Sequence, residues 1–156
     1  MGFATHLGPW LLGTVKNTTG TTAGTVRNTG ATIVAQTNNL TAAQVAGLTG
    51  SIGAIPAGAA ITSVQFITTT LFASATTLKV TIGGVDYAAA ATITSAGVYP
   101  QTAAATFAPK AANVGSTDAL VTFTSTGSSA TGAVTIIIAY VVRDSNGNDF
   151  PTTFQN

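Results

Sequence analysis

The chain has 156 residues, a length that suits one domain, and only 6% of them are charged, with five Lys or Arg, four Asp or Glu and a net charge of +1. So few and such scattered cations argue against a nucleic-acid partner, and the lack of cysteine excludes disulfides and thiolate metal sites. Because a net charge near zero favours association, the composition predicts a protein that works in an assembly.

The N-terminal region is expected to be an extended arm or hairpin over residues 1–30, ahead of a β-domain over 31–156. Its most apolar part is Trp10-Leu11-Leu12, which contains the single tryptophan of the chain. These three residues either cap the core of their own domain or anchor the arm in a neighbouring subunit, as tryptophan often does at interfaces. We take Trp10, Leu11 and Leu12 as candidate partner-contact residues.

Short strands with turn signals between them dominate the middle of the chain. Alternating apolar and polar residues predict strands at 31–37, 49–55, 60–72, 78–82, 85–87, 88–95 and 119–124. Thr41 and Gln44 have the spacing of a capping box, so residues 40–48 are expected to be a loop or a short helix. Apolar residues on both faces of 60–72 suggest a strand that is covered by the core on one side and by a partner or a loop on the other, although a β-bulge could also switch the face within the strand. The alanine-rich stretch 102–115 is expected to be a long surface loop.

The stretch 133–143 has the strongest strand pattern in the chain. One face is apolar and the other half apolar, as in a central strand that is covered on both sides. The second face carries Ile137 and Val141, which we expect to pack against a second sheet or a neighbouring subunit. The turn at 127–132 predicts a hairpin with strand 119–124. The whole pattern predicts an all-β fold, an antiparallel, jelly-roll-like β-sandwich with an extended N-terminal arm.

Catalytic machinery is not apparent in the sequence, so we expect no enzyme and no cofactor. The single histidine, His6, lies in the arm, and nothing predicts that an Asp and a Ser are held beside it. Residues 144–149 place oxygen ligands around Gly147, loosely like a calcium loop, but lack its terminal Glu. A plain turn is favoured there, and no metal site is assigned.

The start of the chain lacks the pattern of a secretory signal, and run 133–143 is shorter than the roughly 20 residues of a transmembrane helix, so we expect synthesis in a cytosol and no membrane partner.

Residues 55–66, 77–83 and 127–142 together resemble small structural proteins of tailed bacteriophages. Residues 4–17 resemble structural proteins of marine phages, including cyanophages. The resemblance implies a non-enzymatic capsid decoration, or cement, protein with a β-sandwich fold. It further implies a homotrimer at capsomer junctions, the major capsid protein as partner, and a place on the capsid surface of a virion assembled in the host cytoplasm.

Two other functions stay open at the level of sequence. The chain could be a tail, neck or head-fibre component that binds a host-surface glycan or an adaptor protein. Carbohydrate sites usually present exposed aromatic side chains, and the candidates are Tyr87, Tyr99, Phe107, Phe150 and Phe154. The chain could also be a fibre or surface-layer subunit outside phages, which would grow into open filaments rather than closed oligomers.

Overall fold

The computed structural model describes residues 33–127 and 129–143. Their elements are β1 (Ile33–Thr41), α1 (Ala42–Val45), β2 (Thr49–Ile55), β3 (Ala60–Thr70), β4 (Thr77–Ile82), β5 (Val85–Asp86), β6 (Ala91–Thr92), β7 (Gly97–Gln101), a 3-10 turn (Ala105–Phe107), α2 (Ala108–Ala112), β8 (Ala119–Thr126) and β9 (Ala133–Val141). The arm predicted at 1–30 and the turn at 144–149 lie outside these residues.

Two antiparallel sheets pack face to face. Sheet A has the order β1-β9-β3-β7, and sheet B has the order β2-β8-β4-β5, with β6 paired to β4. The prediction of an all-β antiparallel sandwich is therefore confirmed. Strand 133–143 is central as predicted, because β9 lies between β1 and β3.

The core lies between the sheets and is built from alternate residues of the long strands. In β9 the buried residues are Val134, Ile136, Ile138 and Tyr140. Phe66 of β3 lies opposite Ile136, and both side chains are almost completely buried. Each large side chain removed from water in this way contributes about 1.5–3 kcal/mol.

The predicted hairpin between strands 119–124 and 133–143 is wrong. β8 pairs with β2 and β4 in sheet B, whereas β9 pairs with β1 and β3 in sheet A. The segment between them crosses from one sheet to the other, and the carbonyl of Gly132 accepts a hydrogen bond from the backbone of Ala42 at 2.8 Å. Glycine and serine predict that a chain turns, but they do not specify the partner of the strand that follows.

The surface loop predicted at 102–115 is also wrong in part. This stretch contains the 3-10 turn and α2, and it buries Phe107 and Val114 completely or almost so. The Phe107 ring packs edge-on against Tyr87, with 5.0 Å between the ring centroids. Helical segments this short span too few residues to show a helical period in the sequence.

Other local predictions hold or need small corrections. Residues 49–55 form the predicted strand, and β3 has register shifts against β9 where a bulge was expected, between Ile61 and Ser63 and between Thr68 and Thr70. The capping-box pattern does start α1, since the Thr41 backbone N–H donates to Gln44 Oε1 at 2.9 Å. β1 continues through Asn38 and Asn39, where a break was expected.

Candidate interaction surface

The outer face of sheet A is the surface that turns away from the core. The cross-strand pairs define it: Ile137 lies between Thr37 and Gln65, and Thr135 lies between Asn39 and Ile67. The full set is Ile33, Ala35, Thr37 and Asn39 on β1, Thr135, Ile137, Ala139 and Val141 on β9, Ser63, Gln65 and Ile67 on β3, and Val98 and Pro100 on β7. Cross-strand neighbours make this a continuous surface across all four strands.

This outer face carries no charge. None of the four strands contains a charged residue, and the face alternates small hydroxyl or amide side chains with Ile, Val, Ala and Pro. Two of its large apolar side chains are well exposed, Ile33 at 65% and Val98 at 60%. Antiparallel sheets that face water are usually polar on that side. Because the centres of protein interfaces are depleted in charged residues, this face can be covered by another protein without burying an ion.

The structure places the two candidate contact residues of β9 on this face. Ile137 lies near the centre of the face and is partly exposed. Val141 lies at the end of the face, beside Ile33 and Ala60, and is buried. The other three candidates, Trp10, Leu11 and Leu12, lie outside the described residues. Of the aromatic candidates for a glycan platform, Tyr87 and Phe107 are buried in the core.

Tyr99 is also held by its own chain. Its side chain is half-buried, and its hydroxyl donates to the Ser95 carbonyl at 2.7 Å. The backbone N–H of Ser95 in turn donates to the Tyr99 hydroxyl at 3.2 Å. The described aromatic side chains Tyr87, Tyr99 and Phe107 therefore serve mainly to pack or brace the domain.

The outer face of sheet B is polar and contains an ion pair. Lys79 Nζ lies 2.7 Å from Asp86 Oδ2, and the Thr81 hydroxyl donates to Asp86 Oδ1 at 2.6 Å. The hydrogen bond from Lys79, followed by the one from Thr81, lowers the pKa of Asp86 from its ordinary value of 3.8. Thr49 and Thr124 are hydrogen-bonded side chain to side chain at 3.2 Å. The two faces of the sandwich thus differ in kind, since one is charged and hydroxyl-rich and the other is uncharged and partly apolar.

Other charged side chains of the described residues brace loops. Asp118 accepts a hydrogen bond from the Ala57 backbone at 3.0 Å, and Lys110 Nζ donates to the Val114 carbonyl at 2.8 Å. Arg143, just past the end of β9, donates to the Ala112 carbonyl at 2.8 Å. Within the described ranges, no three His, Cys, Asp or Glu residues come close enough to hold a metal ion.

A shallow depression lies where the sheets meet, beside Lys79, Tyr87 and Gln101. It does not enclose enough space for a water molecule. Burial raises the pKa of the Tyr87 hydroxyl, and a backbone hydrogen bond with Val64 opposes the rise. The tyrosine therefore stays protonated at neutral pH and acts as a core residue.

Sequence reasoning overlooked the inward-facing residues Gln36 and Asn38 of β1. Gln36 Oε1 and Asn38 Nδ2 are buried and lack hydrogen-bond partners, as does Thr68 Oγ1 on β3. The signal was present, because Gln36 and Asn38 occupy the same face of the strand as the core residue Leu40. Polar residues on the core side of a strand indicate either an internal network or a partner outside the domain.

Comparisons with known proteins do not identify this surface: no protein-family model matches the chain, and neither a curated protein nor a solved structure is significantly similar to it. In the part of the chain that the structure describes, none of the helices has the length and apolar character needed to cross a bilayer.

Proposed function

We propose that this chain is a non-enzymatic virion structural protein, a capsid decoration protein that stabilises the head shell at capsomer junctions. In this proposal the major capsid protein is its partner, and the chain acts as a homotrimer. The observation that carries it is the uncharged outer face of sheet A, which extends across four strands and contains Ile137 near its centre. A sheet face of this composition suits a second protein better than a small ligand, which needs a concave pocket.

The strand order supports the jelly-roll part of the proposal. β1 lies beside β9 and β2 lies beside β8, so that in both sheets an early strand of the described chain is the neighbour of a late one. This nesting is expected when a long hairpin is rolled up into two sheets, as in jelly rolls. Viral capsid proteins and lectins both use that architecture, so it agrees with the proposal without deciding the function.

The composition supports an assembled state. The whole chain has a net charge of only +1, and its charged residues make up 6% of the total. Such a surface gives little charge repulsion between copies or against a shell. A decoration protein needs such a surface, together with a contact segment, for which Trp10, Leu11 and Leu12 are the candidates.

Rebinding to phage heads that lack the chain tests the proposal. The full-length protein should saturate at a fixed number of copies per capsomer, measured by quantitative mass spectrometry. Ile137→Asp should weaken binding at least tenfold, because it would bury an unpaired carboxylate in the contact. The matched control is Leu120→Asp, since Leu120 is an exposed apolar residue at 55% on the outer face of sheet B, and this variant should bind like the wild type.

The arm is tested in the same assay. Replacing Trp10, Leu11 and Leu12 together by alanine should abolish head binding while the thermal unfolding of the β-domain is unchanged. Full-strength binding by this variant would contradict a contact role for the arm. Absent head binding, combined with binding to tails or to a glycan array, would overturn the decoration proposal in favour of a fibre component.

A further inference from the structure

The first strand of the sandwich, β1, forms an open edge of sheet A. Among the described strands it pairs only with β9, and this pairing runs through all nine of its residues without a register shift. Its sequence, Ile33-Val-Ala-Gln-Thr-Asn-Asn-Leu-Thr41, contains neither a charged residue nor a proline. An edge strand of this kind presents unpaired backbone N–H and C=O groups in the arrangement that a further strand requires.

The other sheet edges are blocked by devices that β1 lacks. β7 has only five residues and contains Pro100, which cannot donate a backbone hydrogen bond. β2 has a register shift between Ser51 and Gly53, and β5 is two residues long. Proteins use short edges, prolines and bulges to prevent strand addition. Among the edges that the described strands form, β1 is therefore the one best suited to accept a partner strand.

Two side-chain amides of β1, those of Gln36 and Asn38, indicate which strand would suit this edge. Gln36 Oε1 is a buried acceptor without a donor, and Asn38 Nδ2 is a buried donor without an acceptor. Both residues are on the same face of β1, one on either side of Thr37. Leaving such groups unpaired is unfavourable, and each lacks what the other offers. Because they are neighbours on one strand face, a symmetric arrangement of two β1 strands can satisfy both.

We propose that β1 pairs antiparallel with β1 of a second copy of this chain, about a two-fold axis that passes through Thr37. In this register Gln36 lies opposite the partner's Asn38, and Asn38 lies opposite the partner's Gln36. Cross-strand Cβ atoms are about 4.5–5.5 Å apart. The two amide groups, which are buried between the sheets in the single chain, therefore come within hydrogen-bonding reach once their side chains turn toward the partner strand. The two copies of sheet A become one continuous sheet.

The remaining pairs in this register are compatible with the contact. Ala35 lies opposite the partner's Asn39 on the outer face, and Val34 lies opposite the partner's Leu40 on the inner face. No like charges meet, since β1 has none. The contact is isologous, as two-fold contacts are, and it does not depend on the proposed virion function; alongside the proposed homotrimer it would join chains of neighbouring trimers.

Disulfide trapping tests the register directly, because the chain has no native cysteine. Thr37→Cys places two thiols at the axis, where opposite Cα atoms are about 4.5–5.5 Å apart, within the range that a disulfide bridges. Under mild oxidation the full-length variant should convert completely to a linked pair on a denaturing gel. The control Ala35→Cys should not link, because its two thiols are about four residues, or roughly 13 Å, apart along the strands. Mixing Ala35→Cys with Asn39→Cys protein should restore linkage between the two variants.

Charge exchange provides a second, independent readout. Thr37→Lys and Thr37→Asp should each lose the two-fold β1 contact in native mass spectrometry, since like charges meet at the axis, and their mixture should restore it as a one-to-one pairing of the two variants. Thr37 is exposed, so both variants should keep the far-UV circular dichroism of the wild type. If either is unfolded, the disulfide result decides alone.

Three results would overturn the proposal: no linkage of Thr37→Cys, equal linkage of Ala35→Cys, or linkage that stops at about two-thirds of the chains. The last would indicate a three-fold contact, because one chain of each trimer is then left without a partner. None of these results bears on head binding, which the rebinding assay measures separately.

Discussion

The Asp86 carboxylate is held by two side chains on the outer face of β4. Lys79 and Thr81 both donate to it, and these bonds lower its pKa from 3.8. A carboxylate with a lowered folded-state pKa stabilises the fold above its unfolded-state pKa, and this contribution is lost as the pH falls through the folded-state value. Because the Asp86 side chain is 49% exposed, solvent screens the pair and its contribution is small.

Asp86→Asn should therefore lower the free energy of unfolding by about 0.2–1 kcal/mol at neutral pH. The difference from the wild type should shrink as the pH falls below about 4, because the wild-type carboxylate is then protonated as well. Urea unfolding at a series of pH values measures this. A difference that stays constant down to about pH 2 would show that the ion pair is not its cause.

Gly127 allows the chain to leave β8 and cross to the other sheet. Its φ is +102°, and a Cβ at this position would overlap with the Ala75 carbonyl oxygen. Gly84 is a matched control, since its φ is +80° but nothing lies within 4 Å of a built Cβ. Gly84→Ala should cost about 1 kcal/mol from backbone strain alone, and Gly127→Ala more than about 2 kcal/mol, because the Ala75 backbone must also move. If thermal unfolding showed the same loss of stability for Gly84→Ala and Gly127→Ala, it would contradict the close approach of Gly127 to the Ala75 backbone.

At the scale of the element, β9 shows how one strand serves two surfaces. Ile136 points into the core and is fully buried, while its neighbour Ile137 lies on the outer face of sheet A. The alternation follows from the two-residue period of a strand. One strand therefore contributes both to the core and to the outer face of sheet A.

Alanine substitutions in these adjacent residues should separate the two roles. Ile136→Ala leaves a cavity and should cost about 2–5 kcal/mol of unfolding free energy. Ile137→Ala should cost less than about 1.5 kcal/mol in the isolated domain and act mainly on association. Chemical denaturation, with sedimentation velocity on the same samples, measures both. If Ile137→Ala lost more stability than this, the Ile137 side chain would already be covered by another part of the same chain.

The elements also show what the sequence can specify. Residues 49–55 and 78–82 were predictable because local alternation and glycine turns define a strand and its ends. The partners of β8 and β9 were not, because sheet membership depends on contacts between residues that are distant in the chain. Ile137 and Val141 could be assigned to one face by parity, and the same parity places Gln36 and Asn38 on the face of Leu40. That their amide groups lack hydrogen-bond partners became apparent only once the packing was known.

At the scale of the whole molecule, the two faces of the sandwich differ in charge. Sheet B carries the Lys79–Asp86 pair, and the strands of sheet A carry no charge. Contact through sheet A should thus depend little on ionic strength, because salt screens charge pairs and leaves apolar contacts intact. The dissociation constant of self-association should change less than about threefold between 50 and 500 mM NaCl, measured by sedimentation equilibrium. Loss of association at high salt would indicate a charged interface instead.

The orientation of the sandwich in an assembled particle would show whether sheet A is the contact surface. A cryo-EM reconstruction of phage heads that carry the chain, at a resolution that traces strands, would give this orientation. We expect the outer face of sheet A to lie against the shell or a neighbouring copy, with Ile137 covered, and Lys79 and Asp86 to face solvent. Sheet B against the shell, with the outer face of sheet A open to solvent, would contradict it.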